Sequence, residues 1–176
     1  MNKQHTLPAL FLLSALLSAL CGCRGKDADP TRPTAVVCHR ATRLPNRPPL
    51  VGKKAPRLSR TDPSVPGGVT LLVFYRTDCE TCESVLRDLR GFYPTLQERN
   101  VRIVSISCDK DQSVFSSRAA AFPWATKWHD SRGFYSPDFE AYGVTVTPTL
   151  VLVNPDGRVA GSYGTLKETG LLRSFY

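Results

Sequence analysis

The chain has 176 residues, 41% hydrophobic and 9% aromatic, which suits one ordinary folded domain with extra segments and excludes two well-packed domains, wholesale disorder and a multi-span membrane protein. Its formal charge of +8 is uneven: Arg24 to Arg60 holds ten Lys or Arg against two acids, and Thr61 to Tyr176 holds twelve against thirteen. The positive charge therefore belongs to an N-terminal arm, and the near-neutral remainder makes nucleic acid a poor partner.

Residues 1–23 carry Lys3, an apolar stretch from Leu7 to Leu20 and then Cys21-Gly22-Cys23, the layout of an export signal. The apolar run is shorter than the roughly 20 residues a helix needs to cross a bilayer. Leu20-Cys21-Gly22-Cys23 resembles the bacterial lipobox, and the small Gly22 before Cys23 makes Cys23 the expected lipidation site; an ordinary cleaved signal peptide is the alternative. Both place the mature protein outside the cytoplasm, where disulfides persist. Residues 24–50, with Pro30, Pro33, Pro45, Pro48 and Pro49, read as an extended basic tether. Beside a lipid anchor such a tether can lie on anionic head groups, each charge contributing about 1 kcal/mol, or simply act as a solubilising linker.

Val51-Gly52-Lys53-Lys54-Ala55-Pro56 opens the expected folded domain, residues 51–176. Val69 to Tyr75 is a continuous apolar, β-branched run and predicts a strand buried on both faces. Glu80 to Arg99 places Val85, Leu89, Phe92 and Leu96 at helical spacing, with Pro94 threatening a kink. Val101 to Ser107 predicts a second strand, Gln112 to Phe122 a second helix, Trp124 to His129 a short strand, and Ser136 to Tyr142 a short helix. Thr149 to Val153 is a third strong strand. Asn154-Pro155-Asp156-Gly157 is a turn that returns Arg158 to Ser162 antiparallel. Thr165 to Phe175 is expected to close the fold as a helix.

The chemistry concentrates in Thr77-Asp78-Cys79-Glu80-Thr81-Cys82, where an apolar strand hands over to a helix. A cysteine at a helix start faces unpaired N–H groups and the positive end of the helix dipole, which favour its thiolate. Cys82 lies one turn later on the same face and can close a disulfide with Cys79. Cys79 is thus expected to be the more exposed, attacking sulfur and Cys82 the shielded, resolving one. A CxxC alone also fits half of a zinc site. The second signal is Val146-Thr147-Pro148-Thr149, directly before the third strong strand.

Together these segments resemble the thioredoxin superfamily, and within it the membrane-anchored TlpA/ResA-like group. The resemblance covers about residues 51–165, including Tyr142-Gly143-Val144 and Asn154-Pro155-Asp156-Gly157. It implies an α/β, thioredoxin-like fold with a central mixed β-sheet flanked by helices. It also implies a cis Pro148 after Thr147 packed against a Cys79/Cys82 redox disulfide, no cofactor, and exchange of disulfides with protein thiols outside the cytoplasm. The family commonly has Trp before the first cysteine, where this chain has Asp78, and many members carry a buried Asp six residues before it, where this chain has Val73. Asp78, Glu80 and Glu83 oppose added negative charge, which favours the reducing or exchange direction.

Arg76 stands where peroxiredoxins require Thr, which argues against a peroxidase. Cys108 ends the second strand and is expected to be a buried structural cysteine or a third redox thiol; Cys38 stays unassigned. Trp124 and Trp128 read as packing residues. A copper-delivery alternative requires His129 to meet Cys79 and Cys82, and a non-catalytic binding module on the same fold is the remaining alternative.

Overall fold

The computed structural model describes residues 50–173. The leader with Cys21 and Cys23, and the basic arm with Cys38, lie outside the described residues. Among the described residues no helix is long and apolar enough to cross a membrane.

Strand β1 (Val69–Tyr75) is followed by α1 (Glu80–Gly91), α2 (Tyr93–Glu98), β2 (Val101–Ser107), α3 (Gln112–Ala119) and β3 (Thr126–His129). A 3-10 turn (Gly133–Tyr135), α4 (Pro137–Ala141), β4 (Thr149–Val153) and β5 (Val159–Tyr163) complete the regular structure, with a final 3-10 turn at Lys167–Thr169. The five strands form one sheet in the order β3-β2-β1-β4-β5. β1, β2 and β3 run parallel, whereas β4 lies antiparallel to β1 and β5 antiparallel to β4. The expected mixed sheet is therefore present, half parallel and half hairpin.

Strand periodicity of two sorts the core into two clusters. Leu71, Val73 and Tyr75 of β1 and Ile103 of β2 face α1 and α3 in a cluster that also holds Cys79 and Cys82. Leu72, Phe74, Val104 and Ile106 point the other way, with Cys108, Trp128, Phe139 and the opening segment through Ala55 and Leu58. That second face is tied by Asp138, a fully buried carboxylate taking bonds from Ser59 N (2.8 Å), Ser59 Oγ (2.7 Å) and Trp128 Nε1 (3.1 Å). Trp128 is thus a packing residue with one polar tie, and Trp124 is another, its Nε1 donating to Ser105 Oγ at 2.8 Å.

Three helical boundaries differ from the sequence expectation. The long helix from Glu80 breaks at Phe92, because Pro94 has no N–H to continue the ladder and instead sits in the first turn of α2. α3 stops at Ala119 rather than Phe122, where Pro123 disfavours helical backbone in the residue before it. The expected closing helix from Thr165 is, within the described residues, one 3-10 turn ended by Gly170 at φ 71°. Leu166 and Leu172 on either side of that glycine are both fully buried, so irregular backbone still covers the core. The Asn154–Gly157 turn forms as expected, with Gly157 in the left-handed region and its N–H on Asn154 O at 2.9 Å.

Candidate active site

β1 ends at Tyr75 and the chain turns through Arg76-Thr77-Asp78 before α1 begins at Glu80. Cys79 is the residue that caps α1: its backbone is extended (φ −105°, ψ 115°) and its sulfur accepts the N–H of Cys82 at 3.4 Å. A sulfur in that position takes the place a Ser or Asp oxygen holds in other helix caps, and it meets donors that stabilise negative charge. Thr81 Oγ1 lies 3.1 Å from the same sulfur, and the Cys79 thiol reaches Thr147 O at 3.6 Å. The Thr147–Pro148 bond is cis. The loop before β4 thus reaches the CxxC turn through the Thr147 carbonyl.

Both sulfurs are buried, Cys79 at 2% and Cys82 at 0% exposure, so the expected exposure of Cys79 is reduced to a narrow opening. The two differ in surroundings. Burial pushes the Cys82 thiol well above its ordinary range, against the backbone N–H of Arg76 and the side chain of Thr147, which favour its thiolate. The Thr147 hydroxyl is itself buried and meets no other hydrogen-bond partner among the described residues. Cys79, Cys82 and Cys108 are all thiols.

Two of the acids beside the pair are compensated. Asp78 pairs with Arg76, and Glu83 bridges Arg90 and Arg118, each at 3.3 Å. Glu80, exposed in the first turn of α1, has no ion pair among the described residues, so of these three acids it is the one that supports a reducing couple.

Sequence reasoning missed Asp109. Its carboxylate is 7% exposed and accepts Thr77 N and Thr77 Oγ1, both at 3.0 Å, as well as the hydroxyl of Ser107. Asp109, just after β2, thus fixes the turn that leads into Cys79. A signal for it existed: an acid directly after an apolar strand that ends at the same edge as the CxxC turn.

Cys108 shares that edge but not that face. It follows Val104 and Ile106 in alternation and packs with Phe139 and Trp128 across the sheet from Cys79 and Cys82. Its thiol is pushed well above the ordinary range by burial. A structural role fits, and a third redox thiol does not. His129 stacks on Phe115 at 5.0 Å, and among the described residues no three His, Cys, Asp or Glu side chains gather into a metal site.

A family model described as thioredoxin-like matches residues 67–159, more than half of the chain. The chain is 31% identical over 108 residues to tryparedoxin of Trypanosoma brucei brucei, covering 56% of this chain and 70% of that protein. It is 26% identical over 117 residues to the thiol-disulfide oxidoreductase ResA of Bacillus thuringiensis (strain Al Hakam), covering 62% of this chain and 66% of that one. Among solved structures, a thiol-disulfide oxidoreductase from Bacteroides fragilis NCTC 9343 superposes with a TM-score of 0.59 at 21% identity, over 70% of this chain and 100% of that chain, a likeness of fold. The chain belongs to the thioredoxin-like oxidoreductase family, as a TlpA/ResA-like member of the thioredoxin superfamily.

Proposed function

We propose that this protein exchanges disulfides with extracytoplasmic protein partners, with Cys79 as the attacking sulfur and Cys82 as the resolving one. The observation that carries the proposal is the position of Cys79 as the cap of α1, its sulfur on the Cys82 N–H, while Cys82 lies fully buried one turn inside. The Cys79 thiolate attacks a partner disulfide; a new S–S bond forms to one partner sulfur and the other leaves as a thiolate that takes up a proton. Cys82 then loses its proton and attacks Cys79, closing the Cys79–Cys82 disulfide and releasing the second partner thiol. The partner gains two electrons, and a thiol reductant must return them to the pair. Thr147 lies against the pair, its carbonyl 3.6 Å from the Cys79 sulfur, and precedes the cis Pro148.

The reducing or exchange direction is supported by Glu80, which competes with a thiolate for the positive end of α1. Lipid attachment at Cys23 and a basic tether over residues 24–50 are supported by the sequence pattern alone; Cys23→Ser is expected to release the chain from the membrane fraction or stall its processing. The central test is insulin-disulfide reduction with trapping. Cys79→Ser is expected to lose both turnover and adducts, and Cys82→Ser to lose turnover while accumulating a covalent partner on Cys79. Adducts on Cys82 in the Cys79→Ser variant would reverse the assigned order.

A further inference from the structure

β1 runs from Val69 to Tyr75 and delivers the chain to Cys79, so the redox pair sits at one end of the sheet, about 20 Å of strand away from the other end. β4 lies antiparallel to β1 with Thr70 opposite Val153, which puts the Asn154–Gly157 turn and the start of β5 at that far end. The opening segment joins the fold there. Gly52 N–H donates to Val159 O and Ala55 N–H to Gly157 O, both at 2.8 Å, Val159 N–H donates to Lys53 O at 2.9 Å, and Lys54 pairs with Arg158 in an antiparallel bridge. The chain that precedes residue 50 therefore enters the domain at the end remote from Cys79.

This end has an apolar tip set in positive charge. A turn closed by Lys53 N–H on Leu50 O at 2.9 Å, with Gly52 at φ 78°, leaves Val51 at its tip and 57% exposed. Lys53, Lys54 and Arg158 are exposed around it, the Arg158 guanidinium held on Gly52 O at 2.7 Å. Asp156 lies 3.9 Å from Arg158, and neither lysine has an ion pair among the described residues. Arg57 and Arg60 continue the segment, with Asp62 near Arg57. Residues 24–49, which lead into this end, add six Lys or Arg against Asp27 and Asp29. At the redox end the balance reverses: Arg76 pairs with Asp78 and Arg132 with Asp130, and Lys110 is outnumbered by Asp109, Asp111 and Glu80.

We propose that this end of the domain docks on the surface of an anionic bilayer: Val51 enters the head-group region, Lys53, Lys54 and Arg158 meet lipid phosphates, and Cys79 is held facing away from the membrane. The inference is independent of the exchange reaction and of lipid attachment at Cys23. A soluble anion would use the cations and leave the apolar tip in water, whereas a bilayer interface takes both. The acidic excess at the redox end disfavours the reverse orientation by like-charge repulsion from the same lipids.

The test uses the full chain with vesicles of phosphatidylcholine alone and of phosphatidylcholine with about one third phosphatidylglycerol, so that any hold by the apolar residues 7–20 is common to both. Brief acetylation read by mass spectrometry gives the rate at each lysine, with Lys110 at the redox end as the reference. On the anionic vesicles the Lys53 and Lys54 rates, relative to Lys110, are expected to fall about fivefold, and to recover at roughly 0.5 M salt. In Val51→Ser/Arg158→Gln, both exposed positions, that protection is expected to shrink to about twofold. Equal ratios on the two vesicle types, stronger protection of Lys110 than of the lysine pair, or a variant that keeps the full protection would overturn the proposal. The same protection from inorganic phosphate added to the neutral vesicles would also overturn it, by making the surface a site for soluble anions.

Discussion

Cys82 and Cys108 are alike in local surroundings and lie on opposite faces of one sheet. Each is buried, each belongs to an apolar cluster, and burial raises both thiols well above their ordinary range. What separates them is the neighbouring backbone. Cys82 sits one turn inside a helix whose cap is another sulfur, whereas Cys108 extends a strand and gives its N–H to Tyr75 O at 3.0 Å. Burial and a raised pKa are therefore shared by the two thiols, and the exchange role proposed for Cys82 rests on the helix start beside it.

The sharpest way to break this comparison is to exchange the two roles by substitution. Cys82→Ser is expected to reduce turnover on a protein disulfide to background. Cys108→Ala is expected to cost about 1 kcal/mol of stability through a small cavity, with turnover per folded molecule retained. Loss of turnover in Cys108→Ala, measured beside a thermal melt that shows a folded protein, would make Cys108 part of the reaction.

The second effect contrasts two buried carboxylates. Asp138 ties the opening segment to β3 and α4, far in the fold from the turn that Asp109 holds. Asp138→Ala leaves the N–H of Ser59 and the indole N–H of Trp128 without their acceptor, an expected loss of about 3 kcal/mol in urea unfolding. Asp109→Ala is expected to slow Cys79 alkylation as well as lower stability, because it frees Thr77 two residues before the sulfur. Equal alkylation rates in the two variants, corrected for the folded fraction, would remove the distinction.

The third effect is a pH dependence with a fixed sign. In the unfolded chain a thiol titrates near 8.5, roughly, so below that pH both states keep their protons. Above it the unfolded chain releases protons that folded Cys82 and Cys108 retain, and stability is lost as pH rises toward the folded values. Each such thiol contributes a slope of about 1.4 kcal/mol per pH unit. Urea unfolding of the reduced protein between about pH 8 and 9 is the measurement, a window below the ordinary tyrosine range. Cys108→Ala is expected to lower the slope by one thiol's share. An unchanged slope would mean that Cys108 ionises in the folded protein.

Much of this was legible in the sequence because it rests on local pattern. β1, β2 and β4 follow runs of β-branched and aliphatic residues whose limits are set by charged or turn residues on both sides. The position of the CxxC turn was legible because two cysteines three apart follow such a run. The opposite placement of Cys108 was readable from its parity with Val104 and Ile106, in line with the expectation of a buried structural cysteine, while its membership of the same sheet edge kept the redox alternative open. Asp138 was not legible, since its partner Ser59 lies 79 residues away in the chain; Asp109 carried a positional signal after β2, but its partner Thr77, 32 residues away, was not readable from it. Within the described residues the turn that replaces the start of the expected closing helix is a tertiary effect: Leu166 and Leu172 both reach the core with Gly170 turning the chain between them.

The smallest expected effect asks how much of the Cys79 chemistry comes from the helix start itself. Thr81 Oγ1, 3.1 Å from the sulfur, can donate to a thiolate and lies on the exposed face of α1. Hydrogen bonds to charged groups contribute about 1.5–3 kcal/mol when shielded, and solvent at this exposed position reduces that to about 0.5–1 kcal/mol. Thr81→Val keeps the shape and removes the donor, while the Cys82 N–H at 3.4 Å stays in place. Cys79 alkylation at neutral pH is therefore expected to slow about threefold, following the smaller thiolate fraction. The buried Cys82 serves as the internal reference, and its alkylation in the same sample should not change. A tenfold or greater loss would mean that the Thr81 hydroxyl, rather than the backbone of α1, is what distinguishes this face of the sheet from the one that holds Cys108.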